Sequence, residues 1–293
     1  MLLGIHNYCY YMHGLGGRWK GFKPSWPRQM DIFCLLDKVV ELGLDGVHLD
    51  AAAIGPMDRQ HLQKVKHEVL DKGLYIEFNW GLPRAGADQR LQFDLKTGIE
   101  ITRHLGADIG KISLNLTRPR PVMASEKSSE VMAQLEQIAD LITQILPILE
   151  HHNIKLALEN HTDSFASEIL WLLESVDHPL LGACIDTVNP LMVGENPSQA
   201  IRELASCAFT NHFRDSIIQQ TRYGCRIVGC ALGDGDIDLT SAYEFMENAP
   251  GINRINIEIA LDAPTDYMDK ALDQENQAIR KSIDYCRNQL KIR

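Results

Sequence analysis

The stretch Ile154-Lys155-Leu156-Ala157-Leu158-Glu159-Asn160, an amphipathic pattern over 163–176, and then Leu181-Gly182-Ala183-Cys184-Ile185-Asp186-Thr187 decide how the chain is read. A short apolar run ends on a carboxylate, gives way to a helical period, and is followed by a second run built the same way. A strand that is apolar on both faces belongs in a parallel sheet with helices packed over it. The same alternation extends in both directions. Further runs are Leu2–His6, Gly46–Leu49, Leu74–Phe78, Ile109–Leu114, Ala208–His212 and Arg254–Glu258. Helical patterns lie near 31–42, 58–72, 88–105, 126–152, 197–205, 239–248 and 265–290, and Gly43, Gly73 and Gly106 stand where helices end on a left-handed residue.

Eight such units in 293 residues favour closure into a (β/α)8 TIM barrel over an open doubly wound sheet. No G-x-G-x-x-G follows the first strand, which removes the main reason to expect a dinucleotide fold. With no low-complexity segment or Pro/Gly-rich linker, residues 1–293 are expected to form one barrel domain. Two connections exceed what the fold needs, 7–30 with Arg18, Trp19 and Trp26, and 213–238 with Arg214, Arg222, Tyr223 and Arg226. Both follow strands, so both are expected as lids or walls at the catalytic face.

Composition narrows the function. A net charge of -10 disfavours nucleic acid as a partner. No apolar run is long enough to span a membrane, and the first ten residues lack the pattern of a secretory signal. Seven scattered cysteines, odd in number and without a C-x-x-C pair, point to a reducing cytoplasm rather than a disulfide framework. The partner is expected to be a small molecule, and the composition leaves room for a homo-oligomer.

Four consecutive strands end on a metal-capable residue: Glu159, Asp186, His212 and Glu258. Each gap fits one strand–helix step, the last lengthened by the 213–238 connection. Taken singly, Asp186 reads as a helix N-cap, His212 as a hydrogen-bonded core residue, and each glutamate as the partner of a barrel arginine. Taken together, three carboxylates and an imidazole converge on one side of a pocket, where their repulsion calls for a cation. Oxygen-rich ligation favours one divalent ion of the Mn²⁺, Mg²⁺ or Co²⁺ type, with Zn²⁺ also compatible.

This series resembles that of the xylose isomerase-like TIM barrels, the sugar phosphate isomerase/epimerase superfamily. Glu41-Leu42-Gly43-Leu44-Asp45-Gly46-Val47, Asn211-His212-Phe213-Arg214-Asp215 and Gly233-Asp234-Gly235-Asp236-Ile237-Asp238 are similar to segments of that family in the same order. The resemblance implies Glu159, Asp186, His212 and Glu258 as ligands and Glu159 and Glu258 as an acid/base pair working through an enediolate. The chain departs from the family's ketose 3-epimerases at Asn189, where they carry a histidine, and at Ile218, where they carry an arginine.

Substrate-binding candidates are His6 and His48 on strands one and two, Lys111 on strand four, Asn189, Arg214, and Arg118 with Arg120 just past strand four; the arginines, with Arg18 and Arg84, suit a carboxylate or phosphate. Asn160 and His161 read as supports beside Glu159. For His6 and His48 the alternative is a core role, for the arginines a solvated rim. The expected activity is isomerisation or epimerisation of a sugar, sugar phosphate or sugar acid. The rivals are a decarboxylase or dehydratase of a keto-sugar acid on the same scaffold, an apurinic-site nuclease, and a non-catalytic binding barrel.

Overall fold

A computed structural model of the protein describes residues 1–17, 26–261 and 267–292. Its strands are β1 (Leu2–His6), β2 (Gly46–Asp50), β3 (Tyr75–Gly81), β4 (Ile109–Ser113), β5 (Lys155–Glu159), β6 (Leu181–Asp186), β7 (Ala208–His212), β8 (Asp215–Thr221), β9 (Gly224–Cys230) and β10 (Arg254–Ile257). The helices are α1 (Ile32–Glu41), α2 (Ala51–Ile54), α3 (Arg59–Asp71), α4 (Leu95–Leu105), α5 (Ser129–His152), α6 (Ala166–Val176), α7 (Pro190–Val193), α8 (Pro197–Ala205), α9 (Leu239–Glu247) and α10 (Met268–Asn288). Eight parallel strands pair in the order β10-β1-β2-β3-β4-β5-β6-β7, forming a nearly closed TIM barrel with helices between them.

All eight expected strands are present, because each run is apolar enough to be buried on both faces: β2, β4 and β6 are buried at every position. Several helices begin where short polar side chains cap them, Asp58 accepting from the His61 N–H and Asp94 from that of Thr97. The pattern read over 88–105 therefore yields a helix only from Leu95; residues 82–92 instead turn back over the mouth of the barrel. Between α4 and β3 the fit is close: a Cβ on Gly98 would meet the Trp80 indole at 2.1 Å.

Closure between β7 and β10 relies on a side chain. Phe213 and Ile257 form one isolated bridge. Beside it, the Asn211 carboxamide donates to the Arg254 carbonyl at 2.8 Å and accepts from the Asn256 N–H at 3.0 Å. The amide thus stands in for backbone groups where the ladder stops. Asn160 does the same between β5 and β6, bonding both the N–H and the carbonyl of Asp186.

The two long connections carry structure that the alternation did not announce. Residues 7–15 form a 3₁₀ turn and a π-helical turn that wall the barrel mouth, with Trp26 Nε1 donating to the Met12 carbonyl. Arg18 and Trp19 lie outside the described residues. The 213–238 connection contains an antiparallel hairpin, β8 on β9, turning at Arg222-Tyr223. No described helix is long and apolar enough to cross a membrane.

Candidate metal centre and active-site cavity

Parallel strands of alternating side-chain direction bring every second residue to the barrel axis. At the carboxyl ends of β5, β6 and β7, and just past β10, those positions are Glu159, Asp186, His212 and Glu258, all of them buried. His212 is the hub: its Nδ1 stands 2.9 Å from Glu159 Oε1, 3.0 Å from Glu258 Oε2 and 3.9 Å from Asp186 Oδ2. Bonds of about 2.1 Å to one ion put neighbouring ligand atoms about 3 Å apart, the spacing seen between His212 Nδ1 and each glutamate. Glu258 Oε2 is buried without an aligned hydrogen bond, as is His212 Nε2. Burial pulls the His212 pKa down, but Glu258 and Glu159 outweigh it and lift the ring to about 9. Three carboxylates and an imidazole converge here, and the donor set suits a divalent cation.

The two glutamates are held differently. Glu159 Oε2 accepts from Lys111 Nζ at 2.6 Å and from Ser113 Oγ at 2.8 Å. Burial raises the Glu159 pKa, yet Lys111, His161 and His212 carry it well below the ordinary value. Glu258 is also depressed; burial opposes this, and His212, Arg214 and His6 prevail. Among the described residues no lysine pairs with it. Asp186 Oδ1 accepts from the Val188 and Asn189 N–H groups, each at 2.8 Å, so it holds the turn ahead of α7, whose own N-cap is Asn189. Its other oxygen faces Arg214 Nη1 at 3.0 Å. One carboxylate thus serves the turn with one oxygen and the cluster with the other.

Glu159, His212 and Glu258 floor a cavity of about 610 Å³. Of the substrate-binding candidates, His6, Lys111, Asn189 and Arg214 line it. His48 lies beneath, fully buried, its ring 5.0 Å from that of His6 and 4.7 Å from that of His212. Burial keeps both His6 and His48 well below the usual imidazole pKa. The rim is completed by Tyr8, Tyr11 and residues 84–92.

Arg118 and Arg120 correct the expectation placed on them. Arg118 turns outward from the cavity and is spent on structure: it binds Glu168 in a two-pronged pair at 2.8 Å on each arm. The remaining donors reach Ser125 Oγ and the Ser125 and Asp163 carbonyls, and the guanidinium lies over the Phe165 ring. It has no donor left for a substrate. Arg120 is exposed and does not line the cavity.

Several site residues escaped sequence reading. Ser113 shares strand and face with Lys111, a period-two relation that was there to be read. Glu77, one strand over, sits fully buried below the cavity, where Thr210 Oγ1 donates to it at 2.6 Å and Arg254 Nη1 lies 3.4 Å away. A charge inside the apolar run of β3 was the available signal. Asn79, two residues on, meets His6 Nε2 at 3.0 Å.

Residues 36–289 match the family model described as xylose isomerase-like TIM barrel. A curated relative, the 3-oxo-isoapionate decarboxylase of Pectobacterium atrosepticum, is 24% identical over 259 residues, covering 87% of this chain and 84% of that protein. Among solved structures, D-psicose 3-epimerase determined in the presence of D-fructose superposes with a TM-score of 0.67 at 13% identity, covering 98% of each chain. The IOLI protein with a bound zinc atom gives 0.64 at 14% identity, covering 97% of this chain and 98% of that one.

Proposed function

The chain belongs to the xylose isomerase-like TIM barrel family, and from that premise we propose that it is a divalent-metal-dependent decarboxylase of a keto-sugar acid. The observation that carries this reading is the ion pair between Lys111 Nζ and Glu159 Oε2, 2.6 Å long and buried at both ends. A 3-epimerase needs a base on each face of the carbon it inverts. Here one of the two glutamates is locked by an ammonium and a hydroxyl, so the faces are unequal. A decarboxylase needs no base to remove a C–H proton; it needs an electron sink and one acid.

Glu159, Asp186, His212 and Glu258 would hold the cation. Bound there, a divalent ion polarises a ketone oxygen and accepts the charge that loss of CO2 leaves behind. Lys111 and Ser113 keep Glu159 ionised as a ligand. The bond between the substrate's α-carbon and its carboxyl carbon breaks, and the electron pair moves onto the former ketone as an enolate. Lys111, which lines the cavity, returns one proton to that carbon and is recharged from solvent. The 3-oxo acid named for the curated relative has this chemistry, which supports the choice.

Isomerisation or epimerisation of a sugar is the second reading. Glu159 and Glu258 end strands on opposite sides of His212, and the epimerase likeness of the fold accords with it. The metal-loaded enzyme, given a 3-oxo sugar acid in D2O, should release CO2 in step with product carrying one new deuterium. Exchange into a free ketose without CO2 release would replace the decarboxylase reading with the second.

A further inference from the structure

Among the described residues, three lysine or arginine side chains line the cavity: Arg84, Lys111 and Arg214. Two of them are tied to the metal-capable carboxylates, Lys111 to Glu159 at 2.6 Å and Arg214 to Asp186 at 3.0 Å. Arg84 is not. Its Nη1 stands 3.6 Å from Asp163 Oδ2, beyond hydrogen-bond reach, and its side chain is 42% exposed against 10% for that of Asp163. Asp163 is occupied elsewhere, its Oδ1 accepting from Ser164 Oγ at 3.0 Å.

The backbone under Arg84 is pinned while the side chain is loose. Gly81 bridges to Gln92 across the base of the loop, the Phe93 N–H donates to the Gly81 carbonyl at 3.2 Å, and Gln92 Oε1 accepts from the Arg84 N–H at 2.6 Å. A guanidinium is thereby carried to the mouth on a fixed stem, facing an anion that it does not grip.

We propose that Arg84 is a specificity-determining residue that selects anionic substrates, a carboxylate replacing Asp163 as its partner. The inference rests on the keto-sugar acid reading and names the group that recognises the acid. Partner exchange also answers an energetic objection. A carboxylate clamped by a dedicated arginine would be stabilised before reaction and lose that stabilisation as its charge departs. With Asp163 3.6 Å away, Arg84 is only loosely held before the acid arrives and still faces an anion once neutral CO2 has formed.

The test uses full-length protein loaded with Mn²⁺ and two unreactive probes. In 3,4-dihydroxybutanoate, vicinal hydroxyls stand in for the hydroxyketone and C1 carries the charge; butane-1,2,4-triol is its neutral counterpart. Binding is followed by water-proton relaxation at the Mn²⁺. The wild type should prefer the acid by about tenfold, the range of a partly screened charge-assisted bond. Arg84→Gln should lose that preference without changing triol binding. Asp163→Asn should bind the acid more tightly than wild type, because the competing anion is gone. An acid preference retained in Arg84→Gln, or absent from the wild type, overturns the inference; acid binding weakened by Asp163→Asn overturns the exchange. Failure of the decarboxylase reading is read separately, as no CO2 release by the wild type.

Discussion

The β5 side of the cavity and the β10 side each present one glutamate, and the chain treats them in opposite ways. Glu159 is surrounded by Lys111, Ser113 and, at 3.4 Å, Asn189 Nδ2. Glu258 meets the shared His212, while Arg214 remains 3.9 Å away and one of its oxygens ends without an aligned hydrogen bond. The same residue type at equivalent strand ends is therefore a fixed anion on one side and an available ligand atom on the other. Identity of side chain does not confer identity of role; the neighbouring strand does. Strand β4 supplies Lys111 and Ser113 to Glu159, whereas the strand next to β10 on its far side, β1, offers His6.

The comparison can be broken most completely by removing the cluster that both sides share. His212→Ala should abolish metal binding and reduce activity to background while the barrel stays folded, since the residue ends a strand rather than filling the core. Elemental analysis beside circular dichroism checks this, and full metal content in the variant would dismiss His212 as a ligand. Lys111→Met should keep the metal and lower turnover by about 10²-fold, the scale of a lost general acid. Steady-state kinetics with metal analysis measures it. Glu258→Gln should lower turnover by only about tenfold, mainly through weaker metal binding, because an amide oxygen still coordinates. If the Glu258 variant is the more damaged of the two, the two-base epimerase reading gains the ground that the Lys111 reading loses.

Two further outcomes sharpen the comparison from outside the cluster. Arg118→Ala should cost about 3–5 kcal/mol of stability by leaving Glu168 buried and unpaired, with KM unchanged; denaturant titration and kinetics together separate it from a binding residue. Asp50 shows what a cavity carboxylate does without a cation: its Oδ1 accepts from the Ala52 and Ala53 N–H groups, and burial raises its pKa to about 6. Its folded value lies above the unfolded one, so the folded state holds the proton more tightly. Stability should therefore fall as pH rises from about 4 through 6, by about 3 kcal/mol. Asp50→Asn keeps the cap oxygen and should flatten that slope in thermal melts at graded pH.

The barrel and the position of its metal-capable strand ends were legible because both follow from periodicity. Apolar runs of fixed length must be strands, and whatever ends them must face the mouth. What was not legible depends on direction in space. Arg118 was read as a substrate arginine from its place after β4, but nothing in Thr117-Arg118-Pro119 tells which way the guanidinium points, and Glu168 claims it from 50 residues away. The β8–β9 hairpin was passed over because its branched residues lie in a stretch crowded with polar and basic ones. Glu77 was hidden for a related reason. A lone charge within an apolar run looks like noise until Thr210, Asn256 and Arg254 arrive from other strands to satisfy it.

The Asn211 amide at the seam between β7 and β10 has a mechanical consequence. A ring opens first at its weakest joint, and here the ladder is reduced to one bridge and one side chain. His212 stands on one lip of that joint and Glu258 just past the other. A cation gripped by both would act as a rivet, so loading the site would stiffen the whole hoop, and unloading it would let the hoop breathe at the place where chemistry is done.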